Sequence, residues 1–501
     1  MRRQLLLVLV LVGGLLSAAA PAVASHVPRV AGRFGHLVVI YQENHSFDNL
    51  FGSWGRVGRD RVEGLTGRNA RQVGQDGLPY RCLLQNDVNL AAVPGDCAFR
   101  NRPFLIDDYI KPADRTCPAP GVFAANGVLK DSPGAEPGGC TRDLVHRFYQ
   151  EQYQLDGGRQ DRYVTGSDAV GLTMGYYDTK NLPIYRYLHE AGAPNYVVAD
   201  RFFQGAFGGS FLNHQYLIAA RAPVDTEPGD LHSVVDAEGF PNAGYPLYHP
   251  ATPVKDAPLT QACGPTANPR VACGDYAVNT MQPASAPHGG GAQLPAIDDT
   301  KYPNIGDRLT SAGVSWAWYS GGWNDAEAGH PGPLFQYHHQ PFNYFAAYAP
   351  GQPGRAHLRD ETEFVAAAQA GTLPAVSFVK PYGAENEHPG YASEPDGNDH
   401  LVELLKAIEA GPQADDTLVV VTYDEFGGQW DHVPPPVVDR FGPGTRLPAL
   451  LVSRGLSRSG VDHTVYDTTS ILATLERSLH LKPLDSRDAR VNDLSRALRA
   501  F

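Results

Sequence analysis

Beyond its first 24 residues the chain has no apolar run long enough to cross a bilayer, so no integral membrane segment is expected once a leader is removed. It has no tract of lysine and arginine, and 41 Lys and Arg stand against 54 Asp and Glu for a formal net charge of −13. An acid excess of this size disfavours nucleic acid or an anionic membrane as the resting partner. There is no internal repeat and no low-complexity tract, which sets aside solenoids and disordered tails. Only 6 cysteines occur, none at zinc-finger spacing, so a thiolate-held metal is not expected. What remains is an ordinary globular composition, 42% apolar and 19% charged over 501 residues, enough for a sizeable core.

The N-terminus carries Arg2 and Arg3, the apolar stretch Leu5 to Leu16, and Ala22-Val23-Ala24. Charged, hydrophobic and small-residue parts in this order read as a secretory signal over residues 1–24, with cleavage expected after Ala24. Read instead as a retained anchor helix, the apolar stretch is short. The chain is therefore expected outside the cytosol, secreted or in the periplasm or cell envelope. There Cys82, Cys97, Cys117, Cys140, Cys263 and Cys273 are expected to form disulfides that staple loops. Cys263 and Cys273 form the nearest local pair, and the other cysteines leave their connectivity open.

Two apolar runs far apart each end in an acidic or amide-bearing pair. His36 to Gln42 delivers Glu43-Asn44, and Leu418 to Tyr423 delivers Asp424-Glu425. Further short runs lie at 196–199, 314–319, 375–379 and 447–452. Helical patterns separate them: Leu182 to Ala191, Asn304 to Ala312, a helix opened by Asp360 and stopped by Gly371, one from Asp399 to Ala410, and Ser470 to Leu479. Strands alternating with helices predict an α/β fold with a doubly wound, mostly parallel sheet and helices on both faces. Residues 25–501 are expected to form a single domain. Its insertions, at about 52–140 and 222–300, are rich in Gly, Pro, Asp and Asn and hold all six cysteines.

In a parallel sheet both pairs would emerge at the same carboxyl edge, where ligands of open α/β sheets bind. Adjacent carboxylates repel unless a cation or proton lies between them. Glu43, Asn44, Asp424 and Glu425 offer only oxygen, which selects Ca, Mg or Mn, with Zn admitted when histidines lie close. Taken alone, Asn44 or Ser46 reads equally as a helix cap. Ser210 follows Gly208-Gly209 and opens a predicted helix through Ala220, where unpaired N–H groups attract an anion. It reads either as an N-cap or as a nucleophile activated by a metal. His146, His338, His339, His388 and His432 stand in polar surroundings and are candidates for charge stabilisation, proton donation or structural hydrogen bonds.

Three motifs in order, Glu43-Asn44-His45-Ser46-Phe47-Asp48 through Phe51-Gly52, Glu385-Asn386-Glu387-His388-Pro389, and Thr422-Tyr423-Asp424-Glu425-Phe426-Gly427-Gly428 through Asp431-His432-Val433 and Pro435-Pro436, resemble the bacterial phosphoesterase family. That family holds acid phosphatase A and the non-specific phospholipases C, and the resemblance runs from about residue 34 to 480. It implies an alkaline-phosphatase-like core and hydrolysis through a phosphorylated side chain. It also implies one divalent metal held by Glu43, Asn44, Ser210, Asp424 and Glu425, with Ser210 as nucleophile and His146, His338, His339, His388 and His432 around the phosphate. Phe207 to His214 resembles the acid phosphatase branch, whereas Glu425, where that branch often has Asp, resembles the phospholipases. The expected activity is hydrolysis of a small phosphate monoester through a phosphoserine. A phospholipase C acting on phospholipid head groups and a non-enzymatic cation- and phosphate-binding envelope protein are the alternatives. Nothing in the sequence fixes the oligomeric state.

Overall fold

The computed structural model describes residues 28–74, 76–85, 97, 99–117, 139–167, 170–224, 260–261, 272–273, 276–279, 282–288 and 294–501. At its centre is one eight-stranded sheet. In chain order its strands are β1 (His36–Gln42), β2 (Asn195–Ala199), β3 (Trp316–Ser320) and β4 (Leu358–Asp360), then β5 (Val376–Lys380), β6 (Thr417–Tyr423), β7 (Ala449–Ser453) and β8 (Gly460–Asp462). They lie side by side as β4-β3-β5-β1-β6-β7-β2-β8. Every neighbouring pair is parallel except those of β7, which runs against both β6 and β2.

All six apolar runs form strands, because a run of β-branched and aromatic residues with no polar face can be buried on both sides only inside a covered sheet. Leu37, Val38, Val39 and Ile40 of β1 are wholly buried. Each such side chain contributes about 1.5–3 kcal/mol of transfer free energy. The edge pieces β4 and β8 were not expected, since three residues such as Leu358-Arg359-Asp360 carry no run to read.

The register matters most at the centre. β1 and β6 are direct neighbours, paired from His36 opposite Thr417 to Gln42 opposite Tyr423. Glu43 and Asp424 therefore leave the sheet next to each other.

Eight helices matter for the site: α1 (Phe47–Leu50), α2 (Phe148–Leu155), α3 (Pro183–Leu188), α4 (Ser210–Ala219), α5 (Ile305–Ser311), α6 (Glu361–Ala370), α7 (Glu394–Ala410) and α8 (Thr469–Leu479). Asp360 caps α6 in a reciprocal capping box with Glu363, and Gly371 ends it in the left-handed conformation, as the sequence predicts. α7 corrects an expectation. It starts at Ser393 as N-cap rather than at Asp399, because Pro395 falls in the first turn, where a missing N–H costs nothing. Gly397 lies in the next turn, where a Cβ would come within 2.3 Å of Glu387 Cγ.

Cys82 pairs with Cys97 and Cys117 with Cys140, both within the first expected insertion. The expected partner of Cys273, Cys263, and the expected signal segment lie outside the described residues. Among the described residues no helix is long and apolar enough to cross a membrane.

Candidate functional site

The chain turns sharply as it leaves β1. Asn44 has φ of 61°, a left-handed conformation that Asn tolerates better than most residues. Its N–H donates to Asp424 Oδ1 at 3.1 Å, and the Asp424 N–H donates to Gln42 O at 3.0 Å, so the two acidic loops lock to each other. Gly427, at φ of +61°, lets the second loop lie against the first: a Cβ there would sit 2.2 Å from Asn44 O.

Glu43, Asn44, Asp424 and Glu425 are all fully buried. Asn44 Oδ1, Asp424 Oδ2 and Glu425 Oε1 have no hydrogen-bond partner among the described residues. Buried oxygens are normally satisfied, and three open acceptors carried on two loops that lock to each other are donors of the kind a hard cation takes. The electrostatics agree. Burial and then the charge of Glu43 push Asp424 up to about 7, and burial and then Asp424 push Glu425 well above its usual value. Burial would raise Glu43 too, but Lys380 and His339 outweigh it and hold Glu43 well below the usual carboxylate range.

Ser210 is the first residue of α4, and Gly209 holds the N-cap position. The reading of Ser210 as an N-cap is therefore not realised. The Ser210 hydroxyl donates to Glu43 Oε2 at 3.5 Å. The turn before it depends on Gly208, at φ of +84°, where a Cβ would lie 2.5 Å from Phe148 N. The buried carboxylate of Glu151 in α2 fixes this turn. It accepts from Gly208 N at 2.6 Å, Gln204 Nε2 at 2.7 Å, Thr445 N at 2.7 Å and Thr445 Oγ1 at 2.8 Å. Gln204 Oε1 in turn accepts from Phe426 N at 3.0 Å, coupling the serine turn to the loop of Asp424 and Glu425.

Ser210, His146, His338 and His388 line one cavity of about 240 Å³, together with Arg147 and Tyr391. His388 Nδ1 lies 2.6 Å from Pro389 O, and its Nε2 lies 2.9 Å from Asn44 Nδ2 and 3.9 Å from Glu43 Oε2. With Nδ1 donating to the carbonyl, Nε2 is the accepting nitrogen. Burial lowers the pKa of His388 and of His338, and brings His339 down to about 4. His146 Nε2 stands 3.4 Å from Glu425 Oε1, and His339 Nε2 stands 2.9 Å from Glu43 Oε1.

His432 is not brought to this cavity. Its Nδ1 lies 2.6 Å from Asp48 Oδ2, and it lines a different depression with Glu63 and Arg68. The reason is Arg446, fully buried, which binds Asp48 Oδ1 at 3.0 Å and Asp431 Oδ1 at 3.1 Å and draws the Asp431-His432 turn toward α1. Sequence reading missed three members of the site. Lys380 ends β5 and contacts Glu43. His214, one turn into α4, stacks on His339 with centroids 5.6 Å apart. Arg147 precedes α2. Only His214 carried a signal, standing four residues after Ser210 on the same helical face.

A family model described as the Phosphoesterase family matches residues 34–482. Among curated relatives, Phospholipase C A of Mycobacterium tuberculosis is 23% identical over 425 residues, covering 82% of this chain and 61% of its own length. Non-hemolytic phospholipase C of Burkholderia pseudomallei is 23% identical over 484 residues, covering 88% of this chain and 54% of its own length. The chain thus spans less than two thirds of each. Among solved structures, a 2-O GAG sulfatase aligns over 62% of this chain and 74% of its own with 12% identity and a TM-score of 0.28, too low to support an argument.

Proposed function

This chain belongs to the phosphoesterase family, and we propose that it is a secreted, metal-dependent phosphoric monoester hydrolase of the acid phosphatase type, working through a phosphoserine at Ser210. In this reading residues 25–501 form one alkaline-phosphatase-like, doubly wound domain with insertions near 52–140 and 222–300, and the substrate is a small phosphate ester. The observation that carries the reading is that Glu43-Asn44 and Asp424-Glu425 leave neighbouring strands with unsatisfied buried oxygens on Asn44, Asp424 and Glu425, while Ser210, on the wall of one cavity, donates its hydroxyl to Glu43.

Glu43, Asn44, Asp424, Glu425 and Ser210 would hold the divalent ion, whether Ca, Mg, Mn or Zn. When bound, it supplies a lowered pKa at the serine hydroxyl and neutralises phosphoryl charge. The remaining work falls to the chain. The dipole and free N–H groups at the start of α4 attract the phosphate to Ser210. His388, kept neutral by burial, would take the hydroxyl proton on Nε2 by way of Glu43 Oε2, which lies 3.5 Å from the Ser210 hydroxyl and 3.9 Å from Nε2, as the Oγ–P bond forms. It then returns that proton to the departing ester oxygen as the P–O bond breaks. Water repeats the sequence on the phosphoserine and frees inorganic phosphate and Ser210. Arg147, His146 and His338 line the space where the equatorial oxygens would lie.

A second reading, a phospholipase C, is favoured by the phospholipases C among the relatives and by Glu425. Rates on an aryl phosphate and on phosphatidylcholine separate the two: the monoesterase reading expects turnover of the first and little of the second, and the reverse ranking overturns it. Ser210→Ala is expected to abolish phosphate release while retaining the fold and an ion held by Glu43, Asn44, Asp424 and Glu425. Retained activity in that variant rules out the serine mechanism, and wild type that releases no phosphate from any ester leaves the binding-protein alternative.

A further inference from the structure

Lys380 is the last residue of β5 and is fully buried. Its ammonium contacts Glu43 Oε1, donates to Gln42 O at 3.2 Å and lies 5.0 Å from the centre of the Tyr41 ring. A carboxylate, a backbone carbonyl and an aromatic face thus hold one cation at a fixed place beside the acids.

Glu43 consequently presents its two oxygens to different neighbours. Oε2 faces Ser210 at 3.5 Å and His388 at 3.9 Å. Oε1 faces Lys380 and His339 Nε2. Around that second side, Glu43, His338 and His339 can bring three ligand atoms within 4.8 Å of one another. One carboxylate and two imidazoles form a donor set that Zn or Mn accepts. The protein therefore has the ligands for a second ion, and an ammonium on one of them.

We propose that Lys380 takes the place of a second metal ion, so that the centre binds one divalent cation and keeps the Glu43-His338-His339 group free of metal. The inference rests on the metal-dependent reading given above. Charge balance supports it: the three buried carboxylates Glu43, Asp424 and Glu425 are neutralised by one ammonium and one divalent ion. A second divalent ion beside Lys380 would leave a net double positive charge in a buried site, which burial disfavours. Lys380 is thus a positioning residue that holds Glu43 and sets the metal stoichiometry.

The test is metal content. Wild type and Lys380→Met, each equilibrated with excess Zn or Mn and then freed of unbound ion, are compared by elemental analysis and by anomalous scattering from crystals. Wild type is expected to hold one ion per chain and Lys380→Met two, the second on Glu43, His338 and His339. Two ions in wild type, or one ion at unchanged affinity in a folded Lys380→Met, overturns the proposal. If that variant does not fold, His338→Ala in the wild-type background decides: unchanged metal content and affinity supports exclusion by Lys380, and loss of an ion overturns it. Wild type that binds no divalent ion at all refutes the metal-dependent reading itself, and this inference falls with it.

Discussion

Arg446→Met should cost about 3–5 kcal/mol of stability at pH 8, the range for removing one partner from a buried ionic cluster. Arg446 is fully buried, and its guanidinium binds Asp48 Oδ1 at 3.0 Å, Asp431 Oδ1 at 3.1 Å, Glu63 O at 2.8 Å and Asp200 O at 2.9 Å. Methionine fills much of the volume over the Phe47 ring but leaves Asp48 and Asp431 as buried anions held by backbone N–H groups and His432. The sign of the pH dependence follows from Asp431. Burial pushes it up to about 6 even with Arg446 present. A folded-state pKa above the unfolded value of about 3.9 means the native state binds more protons, so stability falls as pH rises through that window. Removing the cation raises the folded pKa further and widens the window upward. The cost of Arg446→Met should therefore be largest near pH 8, shrink as pH falls toward about 6 and level off below it. Urea unfolding at pH 8 and pH 5 measures both quantities. Because Asp48 lies in α1, just after β1, and Asp431 in the loop after β6, the same variant should also weaken divalent-metal binding. A loss under about 1 kcal/mol at pH 8, or an equal loss at both pH values, refutes the reasoning. The neutral triple variant with Asp48→Asn and Asp431→Asn should recover most of the stability, which separates stranded charge from lost packing.

His388→Gln should lower kcat by about 10²–10⁴ on an alkyl phosphate and by less on a nitrophenyl phosphate, whose leaving oxygen needs no proton; equal losses on both remove His388 from protonating the leaving group, and no loss on either removes it from proton transfer. Asp424→Asn should weaken divalent-metal affinity by more than the roughly 10–100-fold typical of residues that only support a ligand, read by calorimetric titration, and unchanged affinity contradicts ligation through Asp424. Reduction of Cys82–Cys97 and Cys117–Cys140, with separations of 15 and 23 residues, should lower the melting temperature, each bridge contributing about 3 kcal/mol. An unchanged melting temperature would mean that the first insertion melts independently of the sheet.

Much of the fold was legible because the central strands are buried on both faces. Leu37 to Tyr41 and Leu418 to Tyr423 have no polar face, and only a covered sheet hides such a run. Direction was not legible: the run at Ala449 to Ser453 looks the same either way, yet β7 is antiparallel. Pairs adjacent in sequence at strand ends, Glu43-Asn44 and Asp424-Glu425, could be placed together because the sheet fixes where strands end. His432 misled for the opposite reason, since a loop can turn its side chain to either side and Arg446 decided which. Lys380 was invisible because its meaning lies in Glu43, 337 positions earlier, and a lysine closing a strand most often reaches solvent.

The central claim is that Ser210 attacks phosphorus beside the acids of β1 and β6. Acid quenching of the metal-loaded enzyme during turnover of a phosphate monoester, followed by peptide mass spectrometry, tests it directly. The account predicts phosphate covalently on Ser210 in wild type and none in Asp424→Asn. Phosphate on another residue, or rapid turnover with no phosphopeptide together with inversion at a chiral phosphorus, would contradict it.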